Sequence, residues 1–64
     1  MKVYFRDHVE EFDRPLVVND LILKLNLNAE EILILDKNTR KILPSDHKIL
    51  IDDEIEIREV ISGG

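Results

Sequence analysis

The amino-terminal residues alternate between polar and apolar side chains, and this period of two predicts a β-hairpin. In Lys2–Arg6 the apolar residues Val3 and Phe5 fall on one face, as in a strand with one buried side. Asp7-His8 has the residue types of a tight turn. Val9–Arg14 would then return antiparallel to the first strand.

A helical period replaces this alternation after Pro15. Four apolar residues recur at i, i+3, i+4 and i+7, which is one stripe of an amphipathic helix: Val18, Leu21, Ile22 and Leu25. Asn19 and Asp20 stand where a helix cap and a first-turn acid belong, whereas Leu23 lies off the stripe. Asn28–Glu31 has the spacing of a capped single turn that leads into the next strand.

The next stretch, Glu31–Asp36, is too short for a helix and rich in branched apolar residues, so we predict a strand. Both of its faces are apolar, with Ile32 and Ile34 on one and Leu33 and Leu35 on the other. Lys37–Arg40 has turn chemistry, Lys41–Leu43 is predicted as a short returning strand, and Pro44 ends it.

The last third of the chain combines a polar loop with the most regular alternation of the sequence. Ser45–Ile51 is predicted as a loop pinned by Ile49 and Leu50. Glu54–Val60 alternates throughout, and its two isoleucines are expected to point inward: Ile55 and Ile57.

The predicted order β-β-α-β-β-β contains one helix, which can bury its apolar stripe only against one face of a mixed sheet. We expect the last strand at the centre of that sheet, between the first strand and the third. The sequence therefore predicts an α+β fold with four to five strands and one main helix. Residues 1–61 would form a single domain and residues 62–64 a flexible tail.

Composition narrows the classes of function. The chain has 64 residues, a net charge of −5 and no cysteine, so its stability must come from aliphatic packing rather than from disulfides. The acidic balance and the scarcity of aromatic residues argue against nucleic-acid binding and favour a basic protein partner. Apolar runs are too short to cross a bilayer and no signal peptide is visible, so we expect a cytoplasmic protein.

The two glycines of the sequence, Gly63 and Gly64, are its last two residues. Average glycine usage makes such a pair at a terminus a coincidence on the order of half a percent. His8 and His47, in contrast, have no partner at metal-ligand spacing, and the acidic residues around Asp52 lack the pattern of a calcium loop. The sequence therefore predicts no metal site. The Gly-Gly pair at its end is the feature that most strongly indicates a function.

Six features together resemble the ubiquitin-like β-grasp sulfur carriers: the first hairpin, the helix, "NLNAEEILIL", a short hairpin, "LPSDHKI" and "DDEIEIREVISGG". This family includes the thiamin sulfur-carrier protein, the small subunit of molybdopterin synthase, the ubiquitin-related modifier and the small archaeal modifier proteins. The resemblance covers nearly the whole chain and is most specific at its end, then in Val17–Glu31. Two turns depart from it. Asp52 replaces the usual glycine, and the hairpin after Leu35 is longer and has none, so Asp and Asn are expected to take the unusual backbone conformations.

The resemblance implies that the carboxylate of Gly64 is the reactive group. An E1-like enzyme would adenylate it with ATP and magnesium, and the chain itself would be a substrate rather than an enzyme, with no bound cofactor. Ile61, Ser62 and Gly63 would be recognised as the tail, since residues without a Cβ can enter a narrow channel. The activated carboxylate would pass to a sulfur donor, giving a thiocarboxylate for an acceptor protein, or to a lysine of a target protein.

The second apolar face of the "ILIL" stretch is a candidate docking surface. Leu33 and Leu35 would form an exposed patch beside the tail, joined by Val60 and Ile61, that binds the activating enzyme. In that case Leu35→Asp should leave the fold intact. The alternative is that loops or a dimer partner cover these leucines.

Two further interpretations of the whole chain stay open. The domain could be an interaction module whose tail is inert, or the non-catalytic small subunit of a synthase. The expected free state is a monomer that binds neither membrane nor nucleic acid.

Overall fold

The computed structural model describes residues 1–60, which contain two sheets and one α-helix. The elements are β1 Lys2–Phe5, β2 His8–Glu11, β3 Leu16–Val17, α1 Val18–Lys24, a 3₁₀ turn Ala29–Glu31, β4 Ile32–Asp36, β5 Lys48–Ile49 and β6 Glu54–Glu59. The main sheet has the order β2-β1-β6-β4, and β3 pairs with β5 in a small second sheet. Because β6 runs parallel to β1 and antiparallel to β4, the main sheet is mixed. The predicted α+β class, single α-helix and central last strand are confirmed.

One face of the main sheet packs against α1, because the inward residues of the strands and the helical stripe are both aliphatic. The core cluster consists of Met1, Val3, Leu16, Val18, Leu21, Ile22, Ile34, Ile49, Ile55 and Ile57. Leu21, Val3 and Ile55 have no accessible surface, as the two periods predicted. Leu25 of the helical stripe is only partly buried, and Leu23 is exposed.

The helix begins and ends with backbone caps. The N-cap residue is Val17, whose side chain makes no capping hydrogen bond. The prediction of a cap at Asn19 is therefore wrong. The reason is tertiary: the first amide groups of the helix donate to the carbonyls of His47 (2.9 Å) and Ser45 (3.0 Å). At the other end, Leu27 N–H donates to Ile22 O and Asn26 N–H to Leu23 O, the pair of bonds of a Schellman motif. Asn26 has the left-handed φ of 55° that this motif requires.

The turn of the first hairpin lies one residue earlier than predicted. Phe5 is registered with His8, so the turn is Arg6-Asp7 and His8 belongs to β2. The prediction of Asp7-His8 is wrong by one residue, and the residue with positive φ (56°) is Arg6. All four residues of β2 are exposed, which fits its position at the edge of the sheet.

The segment between β4 and β6 differs most from the prediction. Lys41–Leu43 is not a strand: it makes one isolated bridge, from Ile42 to Leu35, and its flanking backbone groups bond to Asp36 and Ile34. The predicted loop 45–51 contains β5, which pairs with β3 and buries Ile49 completely. Leu50, which was expected to help pin this loop, is 55% exposed.

The two turns that lack the usual glycine have different backbone conformations. In the turn after β4, the carboxylate of Asp36 accepts from the amides of Asn38 (2.8 Å) and Thr39 (3.0 Å). The left-handed conformation falls on Arg40, with φ of 65°, rather than on Asp or Asn as expected. Asp52 is not among the positive-φ residues of the described chain.

Candidate functional site

The face of the main sheet opposite the helix carries most of the candidate docking residues; we call it the outer face. Residues paired across adjacent strands share a face. Leu33 is paired with Arg58, Leu35 with Glu56, and Glu56 in turn with Tyr4. The neighbouring residues of β4 and β6, including Ile34 and Ile57, lie in the core. The outer face is therefore free of the helix.

Leu35 is buried, which corrects the expectation of an exposed leucine. Only 8% of its surface is accessible, although it is not a member of the core cluster. Ile42 bridges to it on one side and Glu56 is registered with it on the other. Leu35 thus has a neighbour on each side within the sheet, and one of them belongs to the segment that returns from the turn after β4.

Three exposed apolar residues lie on the β4 side of the outer face, and we call them the apolar patch: Leu33 (37%), Ile42 (61%) and Val60 (44%). Val9 is also exposed (52%) and shares this face through its pairing with Tyr4, but it lies at the opposite edge of the sheet, in β2. Leu33 and Val60 agree with the predicted exposure. Ile42 was missed because Lys41–Leu43 is too short to show a period. Its bridge to Leu35 places it on the same face.

Beside the apolar patch, three cations surround one carboxylate; Lys37, Arg40 and Arg58 are called the basic cluster. Arg58 Nε donates to Glu56 Oε2, while Lys37 Nζ and Arg40 Nη1 each lie 3.9 Å from Glu56 Oε1. The hydrogen bond from Arg58, helped by the other two cations, holds the pKa of Glu56 below its usual value. Three cations of an acidic protein therefore share the single carboxylate of Glu56.

The three cations are not held equally. The Lys37 ammonium also sits over the Tyr4 ring, 4.5 Å from its centroid, and Arg58 bonds directly to Glu56. Tyr4 is fixed in turn, because its hydroxyl donates to Glu54 Oε2 at 2.9 Å, which raises the pKa of the phenol. Among the described residues, the Arg40 side chain has one ionic contact, with Glu56 at 3.9 Å, and it is 64% exposed. Arg40 is thus the least engaged member of the basic cluster.

The described part of the chain ends at Val60, in the apolar patch. Val60 follows β6 directly, and its amide donates to the carbonyl of Glu31 at 2.7 Å, which extends the pairing of β6 with β4 by one residue. The predicted tail residues Ile61, Ser62, Gly63 and Gly64 lie outside the described residues.

Other clusters of the described chain offer less. A shallow depression at the end of β2 is lined by Glu11, Asp52 and Asp53, but Asp53 already accepts from the amide of Leu50 at 2.8 Å. Within residues 1–60, no group of three or more potential ligand side chains is placed to hold a metal ion. None of the helices described is long and apolar enough to cross a membrane.

Comparison with known proteins adds no relationship: no family model matches the chain, and no curated protein matches it either.

Proposed function

We propose that this protein is a ubiquitin-like β-grasp carrier or modifier whose mature chain ends at Gly64 and is activated there, in the cytoplasm, by an E1-like enzyme. The observation that carries the proposal is the position of Val60. This residue belongs to an exposed apolar patch, is paired with the sheet, and stands three residues before the Gly-Gly sequence. A docking face and a reactive tail would therefore be contiguous.

The sheet order supports the β-grasp part of the proposal. A parallel pair of first and last strands lies at the centre, a hairpin strand flanks it on one side, and the strand that follows the helix flanks it on the other. This arrangement leaves the outer face open to a partner while the helix fills the core.

The chemistry proposed for Gly64 needs the second protein. Its carboxylate oxygen attacks the α-phosphorus of ATP, and pyrophosphate leaves. The resulting acyl-adenylate is attacked by a sulfide equivalent from a donor protein, or by a nucleophile on the way to a lysine, and AMP leaves. This chain supplies a docking face, which places the tail, and two residues without Cβ atoms, which leave the carbonyl open to attack.

Removal of Gly64 tests the proposal. The deletion moves the carboxylate back by about 3.3–3.6 Å, whereas a misplacement of about 1 Å can reduce a rate a hundredfold. We expect ATP–pyrophosphate exchange by the purified E1-like enzyme of the source organism to fall to background, and addition of one residue after Gly64 to have the same effect. The melting curve should not change, because β6 ends at Glu59.

Intact mass decides between the modes of action. Replacement of one oxygen by sulfur, in protein isolated from its source, indicates a carrier, and a conjugate to lysine indicates a modifier. A native chain that continues beyond Gly64, or a truncated protein that is activated as well as the parent, contradicts the proposal. An unmodified chain that gives no exchange supports the interaction module with an inert tail.

A further inference from the structure

The basic cluster places three cations around one carboxylate on the β4 side of the outer face. The chain carries a net charge of −5, yet the cations beside the apolar patch exceed the carboxylate among them by two. The basic partner expected from overall composition therefore does not suit this face. Burial of an apolar patch against another protein would bring these cations into a less polar environment, where they need carboxylates.

Arg40 carries a second, independent sign of a role. Its φ of 65° is the left-handed region, which an arginine enters at a steric cost and a glycine does not. Within residues 1–60 the side chain offsets little of this cost, because its one ionic contact there is 3.9 Å long and 64% of the side chain is exposed. Backbone conformations of this kind are concentrated at functional sites.

We propose that the outer face docks on an apolar recess flanked by carboxylates, and that Arg40 is the residue that selects this acidic partner. The proposal rests on the function proposed above, which makes the partner the activating enzyme. Contact with the apolar patch supplies the affinity, and a carboxylate of the enzyme pairs with the Arg40 guanidinium. Arg58 bonds to Glu56, and Lys37 lies over the Tyr4 ring. These two cations therefore contribute positive charge, but they are less available than Arg40 to pair with a carboxylate of the enzyme.

A second copy of the chain fits this face poorly. In a two-fold dimer the same surface meets itself, so the basic cluster of one copy would approach the basic cluster of the other. A nucleic-acid backbone would be attracted by the cations but would gain nothing from the exposed side chains of Leu33, Ile42 and Val60. A protein with an acidic rim is the one occupant that suits both parts of the face.

Replacement of Arg40 by glycine separates docking from folding. Arg40→Gly removes the guanidinium and relieves the backbone, so the melting temperature should stay the same or rise by a few degrees. In ATP–pyrophosphate exchange with the purified activating enzyme, KM for the carrier should rise about tenfold at low salt with little change in kcat. The dependence of KM on salt should be weaker than in the wild type.

Arg6→Gly is the matched control. Arg6 is also an arginine at positive φ, and its loss changes the net charge by the same amount. Its Nε lies 2.7 Å from Oε1 of Glu59, which is on the opposite face of β6 from Glu56 and Arg58. Its exchange KM should equal that of the wild type. Equal KM values for Arg40→Gly and the wild type, or the same increase in Arg6→Gly, would refute the role of Arg40.

The two proposals fail in different ways. If the wild type is activated and depends on Gly64 while Arg40→Gly keeps its KM, only the acidic-partner inference is wrong. If the wild type gives no exchange at all, the proposed function fails and the inference fails with it. A lower melting temperature for Arg40→Gly would show that the side chain stabilises the fold, and this would remove the argument from its backbone conformation.

Discussion

Leu33 and Leu35 provide a matched pair of substitutions on one strand and one face. Both are leucines of β4, yet Leu35 is 8% exposed and Leu33 is 37% exposed. We expect Leu35→Ala to destabilise the protein more than Leu33→Ala, because truncation of a buried side chain removes contacts and leaves a cavity, while an exposed one loses less.

The magnitudes follow from burial. Leucine-to-alanine changes in cores cost about 2–5 kcal/mol. Leu35 belongs at the low end, about 2 kcal/mol, because it lies outside the core cluster and its neighbour Ile42 is itself 61% exposed. Leu33 is already partly in water, so its truncation should cost about 1 kcal/mol. A domain of this size has a stability of roughly 3–10 kcal/mol, so both variants should fold.

Urea unfolding followed by circular dichroism measures the difference. With an m-value of about 1 kcal/mol per molar, the midpoint should fall by about 2 M for Leu35→Ala and about 1 M for Leu33→Ala. Leu35→Asp should unfold the domain, since it buries a charge with no partner, contrary to the expectation from sequence alone. Leu33→Asp should fold and weaken activation. Equal midpoints for the two alanine variants, or a folded Leu35→Asp, would show that Leu35 is not buried from solvent in solution.

Two other predictions concern the core and acid. Leu21 has no accessible surface, so Leu21→Ala should lower the free energy of unfolding by about 3–4 kcal/mol. Leu23→Ala, on the exposed side of the same helix, should change the urea midpoint little. Similar midpoints for the two variants would contradict the assignment of the helix face. The pKa of Glu56 is lowered from its usual 4.5, chiefly by the hydrogen bond from Arg58, so its contribution to stability is present above pH 4.5 and is lost as the pH falls through the lowered value. Glu56→Gln should reduce the acid-induced fall of the urea midpoint, and an unchanged pH profile would show that this carboxylate does not control it.

The sequence predicted those parts of the fold in which one period runs for a whole element. Alternation located Ile55 and Ile57 correctly, and the helical period located Leu21, because each element has one partner surface and its pattern records which side faces it. In a strand with two apolar faces, the pattern does not indicate which side is buried. The "ILIL" stretch therefore did not distinguish buried Leu35 from exposed Leu33, since Ile42, which is bridged to Leu35, comes from a segment without a period of its own.

Tertiary contacts also decided the turns and the helix cap. The carbonyls of Ser45 and His47 satisfy the first helix amides, so no capping side chain was needed near Asn19. The left-handed turn residues are Arg6 and Arg40, which no turn propensity favours. For the candidate site, the sequence indicated Leu33 and Val60 but not the basic cluster, because its members come from a turn and a strand that only the fold brings together.

The central position of β6 also has a consequence for the order of events during synthesis. The strand translated last is the one that joins β1 to β4, and Lys2 is registered with Glu54 across nearly the whole chain. The first hairpin therefore emerges from the ribosome seconds before its main partner exists. Such long-range pairing slows folding, because a large loop must close before the contacts are made. A chain interrupted before β6 would expose both inner strand edges, so it should be a ready target for chaperones and proteases.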